Sequence, residues 1–317
     1  MTRYVARRVA QAIPLLAIMS LVLFGVLHLA PGGPLSTYLE NPNVRPEDIE
    51  RLRHAMGLDR PVSVQYVSWL AAFVRGDWGY SYADGRPVLQ RVLERVPATL
   101  ELLGVALVLA VLLATPAGVL AAARRRVDRI TGVAAVAGIS LPVFWLGLVL
   151  QLVFANWFGW LPSSGRQTFG GGDLTDRLAH LVLPATVLAA ALSAGWSRYL
   201  QGSMRDALVQ PFVSIARARG VPESRLLWRH ALRLALPTFV TVMLLDASML
   251  ASGAVVTESL FAWPGIGSLF IESLAKRDYA VLMAFLMIGS TAVVLFNLLA
   301  DVLVLWLDPR TRQEGAA

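Results

Sequence analysis

Six runs of predominantly apolar residues dominate the sequence, at about 9–30, 98–123, 131–158, 178–197, 234–257 and 280–307. Each is long enough for a helix to cross the roughly 30 Å hydrocarbon core of a bilayer. Within that core every backbone N–H and C=O must be satisfied internally, so the runs predict helices. Pro142 in the third run and Pro184 in the fourth predict kinks rather than ends, because neighbouring helices can satisfy a freed carbonyl. The polar segments between the runs are unequal. The longest, 31–97, opens with PGGP and alternates turn signals (GLDRP, GDWGYSYADGRP) with short amphipathic pieces such as PEDIERLRHAMGL, which predicts a small folded cap. Shorter segments at 159–177 and 258–279 join it on the same face.

Six spans put both termini on one side, and arginine says which. Arg124, Arg125, Arg126 and Arg129, seven arginines from Arg198 to Arg233, and Arg3, Arg7, Arg8, Arg310 and Arg312 all fall on the face opposite the long loop. An excess of arginine in short segments beside spans marks the cytoplasmic side. The first run has the basic start of a signal peptide, but His28-Leu29-Ala30 is a poor cleavage site, so the run is read as a retained helix.

Composition agrees: 56% of residues are hydrophobic and only 15% charged, which excludes a chain made mainly of soluble domain. The formal charge of +7 is carried almost wholly by arginine, Lys276 being the single lysine. The absence of cysteine excludes disulfides, thiol catalysis and thiolate metal sites. A phosphate-cradling loop would end in Lys followed by Ser or Thr, but Lys276 is followed by Arg277, so the chain has no nucleotide site of that type. His28, His54, His180 and His230 give no HExxH spacing. The fragment GWSR places Ser197 roughly 26 Å along a helix from His180, at 1.5 Å per residue, which leaves no serine–histidine dyad. Asp246, Glu101, Asn297 and Asp301 are the conspicuous polar residues within the runs; intramembrane polar groups are either helix–helix hydrogen-bonding partners or pathway residues. Asn297 and Asp301 share one helix face, which predicts a common buried partner.

One basic segment stands apart from the apolar runs: SIARARGVPESRLLWRHALRLALP, residues 214–237. Residues 205–219 read as a helix, Gly220 as a corner, and Pro222-Glu223 as the first turn of a second helix. Leu226, Leu227, His230, Ala231 and Leu234 recur at helical spacing, while Arg225, Arg229 and Arg233 line another face. Such a segment fits a helix at the lipid surface or a docking element for a cytoplasmic protein. Tied to spans at both ends, it could hardly enter a DNA groove, so no nucleic-acid partner is expected.

Across nearly its whole length the chain resembles the oligopeptide/dipeptide-type permease subunits of ABC importers. The resemblance rests on ordered blocks: YVARRVAQAIPLL, HLAPGGP, GLDRPVSVQY, RGDWGYS, VLERVPATLELL, ISLPVFWLGLVLQLVF, LPSSGR, LVLPATVLA, FVSIARARGVPESRLLWRHALRLALP, AVVTESLFAWPGIGSLF, KRDY and FNLLADVLVLWLDPR. It implies an all-α membrane protein with six transmembrane helices, the type I importer permease fold and a cap after the first helix. The implied layout is the N-terminus and first helix at 1–30, an outer loop at 31–97, a core at 98–309 holding a coupling segment at about 205–232, and a tail at 310–317. The implied location is a bacterial or archaeal cell membrane, with both termini cytoplasmic.

The resemblance further implies a non-enzymatic subunit that binds no cofactor of its own. Two ATP-binding subunits would hold ATP and Mg, a second permease subunit would complete the pathway, and an external binding protein would deliver peptides; nickel complexes, glutathione and oligosaccharides are the alternative cargoes. A self-contained secondary transporter is the reading from a different class. Ser214, Ala216, Arg217, Ala218, Arg219, Gly220, Val221 and Arg225 would then dock the ATPase, with Ser214 standing where the broader motif has an acidic residue. Trp263, Pro264, Gly265 and Gly267 would form a gate or a contact for the binding protein, and Asp246, Asn297 and Asp301 are candidate intramembrane sites. Two further departures are Gly33, where the family has an acidic residue, and Leu305, where tyrosine is common.

Overall fold

The computed structural model describes residues 2–29, 45–55 and 57–307. Gly33, Arg310, Arg312 and the tail 310–317 lie outside the described residues, as does the side chain of Leu305. The described residues form helices joined by turns and irregular loops, with one isolated antiparallel bridge between Tyr80 and Pro87.

Helix α1 (Thr2–Leu29) is followed by α2 (Pro46–Ala55) and α3 (Val62–Val74), then by the 36-residue α4 (Val88–Ala123). Next come α5 (Arg125–Ser140) and α6 (Val143–Leu150), which continues as a π-helical stretch, Gln151–Trp157. After them run the 35-residue α7 (Leu174–Leu208) and the short α8 (Pro211–Ala218). One helical turn, Glu223–Arg225, and a second π-helical stretch, Leu226–Ala231, lead into α9 (Leu232–Gly253). The chain closes with α10 (Val255–Leu260), α11 (Ile266–Ala275) and α12 (Tyr279–Leu307). Five of these helices are long and apolar enough to cross a membrane, and the pair α5–α6 makes a sixth when counted as one span.

That pair departs from the kinked helix expected for the third run. Its halves meet at 102°, with Leu141 and Pro142 in extended conformation between them. Proline lacks the N–H that would continue the ladder and pushes the preceding residue out of helical geometry, so the chain turns a corner here instead of bending. Just beyond, Trp157, Phe158 and Trp160 are exposed, with Phe158 stacked on Trp160 at 4.5 Å between ring centres. Exposed aromatics at a helix end are the anchors expected at a membrane interface. The second run also differs: its helix starts at Val88, ten residues before the apolar stretch, because the polar turns holding Arg91, Glu94 and Arg95 are helical too.

The main core fills the seam between α4 and α7. Trp196, Leu200 and Met204 of α7 pack with Ala110, Ala114 and Val119 of α4 and with Phe239 of α9. Small residues set the approach: a Cβ at Gly118 would lie 2.9 Å from the Ser197 carbonyl oxygen, and one at Gly138 2.8 Å from the Ala194 Cβ. Without water to drive helices together, such backbone proximity and its dispersion contacts hold α4, through Gly118, and α5, through Gly138, against α7. α1 packs mainly on α12 and touches the cap through α3, where Ser20 Oγ and Tyr66 Oη lie 2.8 Å apart.

Candidate functional site

The bundle has two ends, a basic end carrying the arginine-rich segments and a loop end carrying the long loop.

At the basic end the segment expected to be one helix over 205–219 is two. α7 stops at Leu208, Gln210 is extended, and Pro211 occupies the first turn of α8. A proline at that position is pre-set for a helix start and stiffens the residue before it, so the break is dictated at Gln210-Pro211. The second break falls where expected. Gly220 sits at φ +76°, the Gly220 N–H bonds the Arg217 carbonyl at 3.0 Å, and the Val221 N–H bonds the Ala216 carbonyl at 3.2 Å. These two bonds form a Schellman stop, which requires a left-handed residue that glycine adopts without strain. Arg217 reaches across the corner to Glu223 at 3.0 Å, with both side chains more than half exposed.

Within Pro211–Arg225 only Val213 is buried; Ser214, Arg217, Ala218, Arg219, Gly220 and Arg225 are exposed, and Ala216 and Val221 are half-buried. Beyond it, Leu226, Leu227 and Ala231 are buried as the spacing predicts, but His230 is half-buried and Leu234 is 48% exposed. The π-helical turn between them changes the residue period, so a stripe read at 3.6 residues per turn drifts off the core. Asp128 of α5, not singled out by its pattern, accepts from Gln201 (2.6 Å) and Arg205 (2.8 Å) and pairs with Arg198 at 3.5 Å, fixing the end of α7.

At the loop end three polar ties converge on the first turns of α4. The first is Arg91, 7% exposed, which donates to Ser81 Oγ at 2.8 Å and pairs with Asp278 at 3.3 Å, Asp84 at 3.4 Å and Glu272 at 3.6 Å. Asp278, fully buried, also accepts from the Ser81 hydroxyl and the Tyr82 amide. Two blocks far apart in sequence, GDWGYS and KRDY, are thereby clasped together. Partial burial acts to raise the Asp84 pKa, but the Arg86 amide, the Ser81 hydroxyl and the Arg91 charge together hold it below the usual carboxylate range. Glu272 is lowered chiefly by its hydrogen bond from Lys276 and further by the charges of Lys276, Arg91 and Arg95. A depressed folded pKa contributes stability above the unfolded pKa that is lost as pH falls through the folded one. Protease cutting within 76–87 should therefore stay slow from neutral pH down to the carboxylate range and accelerate below it; an onset near neutrality would contradict the clasp.

The second tie holds the turn after α10. Trp263, fully buried, donates its indole N–H to the Ala98 carbonyl at 2.7 Å. Glu258, also fully buried, accepts from Thr99 Oγ1 at 2.7 Å and the Ser268 amide at 3.0 Å, and Thr99 Oγ1 accepts from the Ile266 amide at 2.8 Å. Gly265 and Gly267 are packed against this carboxylate: a Cβ at Gly265 would overlap it, and one at Gly267 would lie 2.6 Å from Val255 Cα. Pro264 is half-buried beside them. The third tie is Glu101, which accepts from Arg166 at 2.6 Å and also from Arg177. The loop holding Arg166 is joined to the same turn by the Gly165 amide on the Phe261 carbonyl at 2.8 Å.

Of the intramembrane candidates, Asp246 accepts from the Trp196 indole at 2.7 Å, a bond between α9 and α7. Asp301 pairs with Arg8 of α1 at 3.1 Å and is partly exposed, so its partner is an arginine on the first helix rather than one buried group shared with Asn297; Asn297 is half-buried one turn away. Ser197 bonds its own helix at the Ala194 carbonyl and His180 bonds the Asp176 carbonyl, consistent with the absence of a dyad. Among the described residues no group of three His, Asp or Glu side chains is placed to hold a metal. Sequence reasoning missed Arg91, Thr99, Glu258 and Asp278. Thr99, Glu258 and Asp278 lie inside the blocks VLERVPATLELL, TESLFAWPGIG and KRDY, and Arg91 immediately precedes the first of them; for Glu258 and Asp278 a charged residue close to a turn was the available signal.

The family model for the binding-protein-dependent transport system inner membrane component matches residues 114–313, and its N-terminal companion matches residues 1–103. The chain belongs to this family. It is a permease subunit of the ABC importer type, a multi-pass membrane protein of the oligopeptide/dipeptide group. It is 39% identical to the oligopeptide transport system permease protein AppB of Bacillus subtilis (strain 168), over 98% of this chain and 99% of that one. It is 36% identical to the glutathione transport system permease protein GsiC of Escherichia coli (strain K12), over 99% and 100%. Among solved structures, an inward-facing MetNI methionine ABC transporter chain superimposes with a TM-score of 0.54 at 19% identity, covering 69% of this permease and 97% of that chain. At that identity the likeness is one of fold.

Proposed function

We propose that this permease forms half of the pathway by which peptides, delivered by an external binding protein, enter the cell. A second, similar permease subunit supplies the other half, and two ATP-binding subunits holding ATP and Mg supply the energy. The observation that carries the reading is the exposed corner at the basic end. A short helix, stopped by Gly220, exposes Ser214, Arg217, Ala218 and Arg219, the turn beyond the glycine exposes Arg225, and Ala216 and Val221 are half-buried between them. The basic end then faces the cytoplasm, as the arginine distribution favours, and the ATPases grip this corner. The loop end faces the binding protein.

A two-state permease is shifted by whatever binds one of its states better than the other, and here the ATP-binding partners take that part. Closure of the ATPases around ATP would move α8; Asp128 and the α4–α7 seam would carry that movement along the bundle, and hydrolysis would reset it. At the loop end the buried Trp263, Gly265 and Gly267 suit a gate better than a protein contact, which needs exposed side chains. Asp246, Asn297 and Asp301 act as helix-positioning groups. Peptide is favoured as cargo because both named relatives carry peptide-like substrates, glutathione being itself a tripeptide.

Purified with its partners in liposomes, the complex should take up peptide only with ATP and loaded binding protein. Mass spectrometry of the ligand carried by the co-purifying binding protein would identify the cargo; a nickel complex or an oligosaccharide there would replace the peptide assignment. Ion-gradient-driven flux from this chain alone would overturn the importer reading.

A further inference from the structure

The turn after α10 is flanked by breaks in the chain. Ala254 separates α10 from α9, and Lys276–Asp278 separates α11 from α12. The hairpin α10–α11 is thus not a rigid continuation of either long helix, and what fixes its position is lateral. Its tip is bonded to α4 through the Trp263–Ala98 bond and the Thr99 hydroxyl, and its exit turn is held to α4 through Arg91 and Asp278. On the α4 side of the tip contact, Thr99 is the side chain that bonds both helices of the hairpin. It is 5% exposed, it accepts a hydrogen bond from the first amide of α11, and its hydroxyl donates one to Glu258 of α10. A hydroxyl used as donor and acceptor at once fixes the hairpin in rotation as well as in distance. Glycines at 265 and 267 remove any slack on the other side of Glu258.

We propose that Thr99 is the joint through which α4 carries the outer hairpin during transport, a positioning residue rather than a contact for the substrate. Because α4 is packed along α7, and α7 leads into the corner Pro211–Arg225, the joint ties the far end of the bundle to the motor contact; the inference rests on the function proposed above. Hairpin and α4 move as one body, so the pathway opens at the boundary with the second permease subunit and not between these elements.

Thr99→Val keeps the shape and removes the hydroxyl; Thr99→Ser keeps the hydroxyl. In the reconstituted complex, Thr99→Val should lower peptide uptake per ATP hydrolysed at least about fivefold with assembly and basal ATPase activity intact, and Thr99→Ser should stay within about twofold of wild type; a fivefold change corresponds to roughly 1 kcal/mol, the scale of one hydrogen bond. Normal coupling in Thr99→Val, or equal impairment in Thr99→Ser, would overturn the joint. The chain has no cysteine, and the 2.8 Å between Thr99 Oγ1 and the Ile266 nitrogen makes positions 99 and 266 neighbours, so a cysteine pair there can be oxidised without competing thiols, cross-linking being checked by thiol titration. A Thr99→Cys/Ile266→Cys pair, read even if Thr99→Val fails to assemble, should transport at least as well when oxidised as when reduced, because the covalent link replaces the lost hydroxyl; loss of uptake on oxidation, restored by reduction, refutes movement as one body. A wild-type complex without ATP-dependent uptake overturns the proposed function and this inference with it, whereas a coupled wild type beside an unimpaired Thr99→Val overturns this inference alone.

Discussion

Replacing Asp278 by alanine should cost the folded permease about 3 kcal/mol and release the loop 76–87 from the bundle. Asp278 is fully buried and is the shared acceptor for the Ser81 hydroxyl, the Tyr82 amide and the Arg91 guanidinium. Removing one member of a buried pair leaves the other charge without compensation, which is costlier than the pair itself is stabilising. The loss stays at the lower end of the range because Arg91 keeps Asp84 and Glu272 within 3.6 Å. Asp278→Asn retains an acceptor and should lose less. Thermal unfolding in detergent and the rate of protease cutting within 76–87 measure the two effects, and an alanine variant with wild-type values in both would show that the clasp carries no energy.

The same clasp marks the limit of what the sequence reveals. Spans, their number and the arginine-rich face follow from hydropathy and charge because a bilayer leaves the backbone few alternatives. The corner at Gly220 was legible for a similar reason: only glycine takes a left-handed residue freely, so its place between two helical patterns is informative. The break at Pro211 was equally encoded, but it was masked by the helical look of the residues around it. The sequence predicts only a kink at Pro142, where the chain turns by 102°, because proline inside a span does not say how far the chain will bend. The ties on α4 were least legible. Arg91, Thr99 and Glu101 sit at irregular spacing in one helix, and each has a distant partner: Asp278 is 187 residues from Arg91, Glu258 159 from Thr99 and Arg166 65 from Glu101. Periodicity describes one element at a time, and these contacts exist only once four segments meet. The ordered family blocks carried that information in compressed form: they showed that GDWGYS, WPGIG and KRDY belong to one protein, without showing that they meet at one end of it.

Gly220→Val should leave the permease inserted and thermally close to wild type while lowering uptake per ATP by about tenfold or more. The position is open, with nothing within 4 Å of an added Cβ, so no clash contributes. What valine cannot do is hold φ +76°, where a β-branched residue is a genuine outlier. The conformational penalty is roughly 1–2 kcal/mol, and the Arg217–Glu223 pair, more than half exposed on both sides, is too weak to offset it. The Schellman bonds from Gly220 and Val221 then open and α8 changes its angle to the helix that follows. Because about 1.4 kcal/mol is a factor of ten in an equilibrium, the docked geometry becomes the minor one. The ATPase contact is lost without any change in the core, since of the residues in this corner only Val213 is buried. Gly220→Asn is the discriminating partner, because asparagine tolerates the left-handed region and should retain most of the coupling. If the valine variant couples as wild type, the ATPase docks elsewhere; if valine and asparagine fail equally, what matters at 220 is the absence of a side chain at the contact and not the backbone angle.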